Sequence, residues 1–164
     1  MVEAMASPIP YPVLAVLQRC HELESIMGQA YCALADAHAA NPRMANLWAK
    51  TAKEEENHAS QFSLAMSLGG EVMTEAKVDV ANLDQAIARA KLFRNESKKG
   101  AVRMDDALSK AIELEEEMAG YHLHLAVAFR SGAHEKLFRA MMAADKGHIS
   151  TLRAELEHLR SSGK

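Results

Sequence analysis

The chain is poor in the residues that build strands, cross-links and membrane spans. Aromatics make up 5% of its 164 residues, β-branched residues are scarce, and alanine and methionine (10 copies) are abundant. That mixture disfavours sheets and favours helices, and the length suits one domain with a real core. Only two cysteines occur, Cys20 and Cys32. They fall in one expected helix, about 18 Å apart along its axis, too far for a disulfide. Two thiols cannot supply a four-cysteine metal site either. Both are expected to be buried and reduced, which points to the cytoplasm.

No apolar run approaches the roughly 20 residues that a membrane-spanning helix needs. The first twelve residues lack the basic and apolar regions of a signal peptide. A net charge of −3 gives no electrostatic reason to expect a nucleic acid or an anionic membrane as partner.

The four prolines punctuate helices. Pro8, Pro10 and Pro12 keep the start extended, so a first helix is expected from about Val13 to Ala40. Asn41 and Pro42 close it and open a second, Asn as N-cap and Pro at the first helical position, running to about Leu68 before Gly69-Gly70. So short a joint makes the two helices antiparallel neighbours. Residues 71–103 read as a crossover connection, with a short helix over Asn82–Phe93 and a solvated basic turn over Arg94–Gly100. A third long helix fits Met104 to about Phe129, ending at Ser131-Gly132, and a fourth fits Ala133 to about Leu159. The expected fold is therefore all-α: a single four-helix bundle of two helical hairpins with one long crossover. The hairpins resemble each other, as an internal duplication would.

Polar residues interrupt the apolar seams at mid-helix. At heptad spacing the second helix offers Met44, Trp48, Thr51, Glu55, His58, Phe62 and Ala65. The third offers Leu108, Ala111, Glu115, Met118, His122, Leu125 and Phe129, and the fourth Phe138, Met141, Asp145, His148 and Leu152. The first gives Leu17, Glu24, Tyr31 and His38, flanked by Val13, Cys20, Met27 and Leu34. Glu24 precedes Glu55 by 31 residues and Glu115 precedes Asp145 by 30, which puts each pair at similar depth in an antiparallel hairpin. Four buried carboxylates at one level are untenable without cations. Two divalent metals supply the four positive charges, beside two neutral imidazoles. Carboxylate and imidazole donors suit iron or manganese.

One Glu from each of two helices, with Glu-x-x-His from each of the other two, is the ligand pattern of di-iron carboxylate bundles. The i, i+3 spacing puts both ligands on one helix face. Glu55 and His58 then face inward, while Glu54 and Glu56, like Glu113, Glu116 and Glu117, remain in solvent.

On these residues the chain resembles the ferritin-like di-iron superfamily, and within it the rubrerythrin-like branch, over residues 13–159. The resemblance is carried by the stretches 24–31, 55–58, 111–115 and 145–148. It implies Glu24, Glu55, His58, Glu115, Asp145 and His148 as metal ligands, Glu55 and Asp145 as bridges, and two iron ions as cofactor, with manganese or zinc as substitutes. Four departures stand out. Asp145 replaces the family's usual Glu and has a shorter reach. Met118 stands where rubrerythrins carry a further Glu. His122 occupies an aromatic position, often Tyr, and is a candidate ligand, proton donor, partner of a ligand or satisfied core histidine. The rubredoxin domain that delivers electrons does not appear in the chain, which implies a separate electron-donor protein.

Tyr31 is either a core tyrosine hydrogen-bonded to a ligand carboxylate or a redox group; with His122 it makes the catalytic pair of candidates. Trp48 is expected to pack near the site, the methionines to fill the core, and His21, His38 and His124 to lie at surfaces or hairpins. The resemblance implies a homodimeric redox protein whose di-iron centre reacts with hydrogen peroxide or dioxygen. A ferroxidase and an iron-sequestering protein without turnover are the alternatives. A metal-free interaction bundle must explain four carboxylates pointing into a core.

Overall fold

The computed structural model describes residues 8–70, 73, 75–126, 128–130 and 132–163. Among the described residues five helices make up the fold: α1 (Tyr11–Ala37), α2 (Pro42–Ser67), α3 (Val80–Lys98), α4 (Met104–Ala126) and α5 (Gly132–Ser162). Among the described residues there is no strand, only an isolated antiparallel bridge between Met73 and Phe129. No helix among them is long and apolar enough to cross a membrane.

Helix boundaries follow local chemistry. α1 starts two residues earlier than the prolines suggest, because Pro12 sits in its first turn, where a missing N–H costs nothing. It stops at Ala37 rather than Ala40, and the His38 N–H bonds back to Leu34 O at 3.0 Å. Asn41 caps α2 as expected, its side chain accepting from the Met44 N–H at 3.3 Å. After Leu68 the chain turns at Gly69, whose φ of 81° suits a residue without a Cβ. The expected stop at Ser131 lies outside the described residues.

The crossover departs most from the sequence reading. Asp79 caps α3 by accepting from the Ala81 N–H at 2.8 Å, and the helix runs through Arg94–Lys98 instead of turning there. Arg94, Asn95, Glu96 and Lys98 lie on its outer side. Phe93 and Ser97 are buried on the inner one, and Ser97 Oγ donates to Phe93 O at 2.8 Å. The turn comes at Gly100, with φ 65°.

Cross-helix contacts give the topology. Glu24 meets His58 and Tyr31 meets Trp48, so α1 and α2 are antiparallel. His122 meets Asp145 and Glu116 meets Arg153, so α4 and α5 are antiparallel too. The hairpins pack with α1 against α4 (Glu24 to His122, Tyr31 to Glu115) and α2 against α5 (Phe62 to Phe138, Arg43 to Glu155), both pairs again antiparallel. α2 and α4 therefore run the same way, and the connection must travel back along the bundle. α3 does so beside α1, pairing Arg19 with Asp84 and Glu22 with Lys91. Its 19 residues reach about 28 Å.

Burial follows the seams. Every heptad residue given above for the second, third and fourth helices is buried, as are those of α1 except half-buried His38. Aromatic rings close the core at two levels. Tyr31 stacks on Trp48 with centroids 5.4 Å apart and meets Phe93 edge-on, while Phe138 packs on Phe62 at 5.4 Å and on Phe129 at 4.4 Å. The polar residues lie between these layers.

Candidate metal centre

Seven polar side chains converge at mid-bundle. Glu24 comes from α1, Glu55 and His58 from α2, Glu115 and His122 from α4, and Asp145 and His148 from α5. None is more than 8% exposed. A cluster of this kind, buried without compensation, costs several kcal/mol per charge.

Five of the seven form two groups that can hold a metal ion. Glu24, Glu55 and His58 make one, and Glu55, Glu115 and His148 the other; in each, one donor atom per residue lies within 4.8 Å of the others. Glu55 belongs to both groups, as a carboxylate bridging two cations must. Both of its oxygens are buried and have no hydrogen-bond partner among the described residues, and the same holds for Glu24 Oε2, His58 Nδ1 and His148 Nδ1.

Their spacing is informative. His58 Nδ1 lies 3.5 Å from Glu24 Oε2 and 3.7 Å from Glu55 Oε2, and His148 Nδ1 lies 3.4 Å from Glu55 Oε1. These separations exceed a good hydrogen bond. Two donors each about 2.1 Å from one cation, at octahedral or tetrahedral angles, stand roughly 3.0–3.4 Å apart. The all-oxygen-and-nitrogen donor set fits a first-row divalent metal.

Asp145 stands at the same level but in neither group. Its Oδ2 is 2.7 Å from His122 Nδ1, and its Oδ1 is 3.8 Å from His58 Nδ1. His122 also reaches Glu24, with Nε2 2.7 Å from Oε1. Tyr31 is a core tyrosine whose hydroxyl donates to Glu115 Oε1 at 2.5 Å.

Three expectations are corrected here. Glu54 is not left in solvent: its side chain is 31% exposed and its Oε2 is in ion-pair contact with His148 Nε2, though not aligned as a hydrogen bond. A long side chain next to the seam reaches across from α2 to α5. Glu56 does remain outside, paired with Lys53. Of the thiols, Cys20 is buried but Cys32 is exposed. Glu113 and Glu116 are exposed, whereas half-buried Glu117 accepts from Tyr121 at 2.6 Å and pairs with Arg89. His124 is exposed and His21 half-buried.

The electrostatics show what the cluster does with protons when no cation is bound. Burial pushes Glu115 well above the ordinary 4.5, and the charge of Glu55 adds to this, against the Tyr31 hydrogen bond. Burial, then the charge of Glu24, raises Glu55 as well. Glu24 goes the other way: burial works to raise it, but Glu55, His122 and His58 together hold it down at about 2. Burial lowers His58 and His122, yet the carboxylates outweigh it. Glu24 and Glu55 bring His58 to about 11, and Glu24 and Asp145 bring His122 to about 10. The metal-free cluster thus holds protons where a metal would sit, and metal binding must displace them.

Comparison with family models, curated proteins and solved structures gives no significant match.

Proposed function

We propose that this chain is a di-iron carboxylate protein of ferritin-like architecture, rubrerythrin-like in its ligand set, that reacts with hydrogen peroxide or dioxygen. The observation that carries the proposal is Glu55, shared by two donor groups with both oxygens buried and unpartnered. Supporting it, two antiparallel hairpins with a long crossover bring one carboxylate each from α1, α2, α4 and α5 to a common level, the arrangement of such bundles.

Glu24 and His58 would hold one ion and Glu115 and His148 the other, with Glu55 contributing to both groups. Two irons bound there would supply one electron each to an oxidant. The protein's own part is to orient and to exclude water. The Tyr31 O–H fixes Glu115 through Oε1. Glu54, against Nε2 of His148, favours presenting Nδ1 to the interior. The aromatic layers on either side keep bulk solvent from the cluster. Re-reduction by a separate electron-donor protein and a homodimeric assembly belong to the same proposal.

Loading with Fe(II) under anaerobic conditions, removing excess metal and adding either hydrogen peroxide or dioxygen tests it. Two irons per chain, oxidised faster by peroxide and turning over repeatedly with an added reductant, are the expected result. Faster oxidation by dioxygen would make the protein a ferroxidase, and a single oxidation without turnover would make it a store. Fewer than one iron per chain would remove the metal reading altogether.

A further inference from the structure

Deepening that reading and resting on it, we propose that His122 is a positioning residue for the metal centre. Its imidazole ties one oxygen of Glu24 and one of Asp145, leaving Glu24 a single-oxygen donor through Oε2 and holding Asp145 outside the inner ligand set. Nε2 lies 2.7 Å from Glu24 Oε1 and Nδ1 2.7 Å from Asp145 Oδ2. With both nitrogens engaged, the ring has no lone pair aimed at a cation.

The carboxylates divide accordingly. Glu24 Oε1 is taken by His122, while Glu24 Oε2 has no hydrogen-bond partner among the described residues and faces His58 Nδ1 at 3.5 Å. Asp145 is held through Oδ2 and belongs to neither donor group.

The ring itself is fixed. It is 2% exposed, packs on Phe62 with centroids 5.5 Å apart, and meets His58 edge-on at 6.0 Å. A satisfied core histidine needs only an acceptor for its N–H and a donor for its other nitrogen, and backbone or hydroxyl groups would serve. Here both partners are carboxylates from the two neighbouring helices, and one of them is a member of a donor group. A ligand whose outer oxygen is already held loses less freedom on binding metal, which is how partners of metal ligands raise affinity.

The test is a calorimetric titration of the full chain with Mn(II), comparing the wild type with His122→Phe and His122→Gln. The wild type is expected to take two ions. His122→Phe should weaken one of the two binding steps by about 10–100-fold and leave the other unchanged. His122→Gln, whose amide donates to a carboxylate, should recover most of the loss. Pulsed electron paramagnetic resonance should count two coordinated imidazole nitrogens in both the wild type and the Gln variant. If the Phe variant does not fold, His122→Asn, too short to span both carboxylates, replaces it in the same comparison.

Unchanged affinities in the Phe or Asn variant would reduce His122 to a core residue. Three imidazole nitrogens in the wild type, with one lost in the Gln variant, would make it a ligand, and either result overturns the proposal. A wild type that takes fewer than two ions would sink the two-metal reading first, and the His122 role with it.

Discussion

The Tyr31 hydroxyl donates to Glu115 Oε1 at 2.5 Å, a buried bond between α1 and α4. It ties the two hairpins together beside the second donor group, with the Tyr31 ring held by its stack on Trp48. Tyr31→Phe keeps the ring and removes the donor. The variant is expected to lose about 1–3 kcal/mol of stability, the cost of leaving a buried acceptor unpaired. Urea unfolding of the metal-free protein measures this, and a change below experimental error would mean that Glu115 does not depend on Tyr31.

Glu115 itself should behave oppositely with and without metal. Burial holds its carboxyl well above 4.5, so ionising it in the metal-free core is unfavourable. Glu115→Gln keeps an acceptor for Tyr31 and removes the charge. At pH 8 the metal-free variant is expected to be as stable as the wild type or more so, while only one Mn(II) binds per chain instead of two. A variant that is both destabilised and still binds two ions would contradict the assignment.

The same shifts set the pH dependence of the metal-free protein. Glu55 and Glu115, raised above 4.5, carry protons in the folded state that the unfolded chain gives up, so stability falls as pH rises past 4.5. For His58 and His122 the stabilisation is complete below 6.5 and is lost as pH climbs to about 11 and about 10 respectively. Glu24 has the opposite sign. Held at about 2, it stabilises above 4.5, and that contribution is lost as pH falls toward 2. Metal-free melting temperature should therefore peak at about pH 4.5 and decline from there into alkali. Metal replaces the protons, so the loaded protein should gain stability as pH rises through neutrality and release protons as it loads. A scan of melting temperature against pH with and without Mn(II) shows both. Parallel curves would mean that the cluster does not exchange protons for metal.

The thiols give a separate check on the fold. Cys32 is exposed, while Cys20 is buried, and burial with the nearby charge of Glu24 raises its pKa. A disulfide thiol reagent should titrate one thiol in the native chain and two in denaturant, and Cys32→Ser should abolish the native reaction. Two fast-reacting native thiols would place α1 differently in the bundle.

Much of this was legible in the sequence because a heptad stripe sorts residues by direction. Glu24, Glu55, His58, Glu115, Asp145 and His148 stand out as polar residues on apolar seams, and all six are buried. What the stripe does not encode is side-chain reach. Glu54 sits beside the seam, yet its length carries it to His148. Asp145 lies on the seam, yet its short side chain ends at His122. Helical periodicity also held an unused signal for the thiols: twelve residues advance a helix by about 120° beyond whole turns, so Cys20 and Cys32 cannot share a face. The length of α3 was hidden because Phe93 and Ser97 carry its buried face alone through a run of charges.

The most direct test is crystallographic. Crystals of the full chain soaked in Mn(II), measured at a wavelength where manganese scatters anomalously, should show two anomalous peaks, one on each side of the Glu55 carboxylate. His58 and Glu24 should coordinate one, and Glu115 and His148 the other. An anomalous map without a peak within bonding distance of Glu55 at saturating Mn(II) would contradict the two-metal centre.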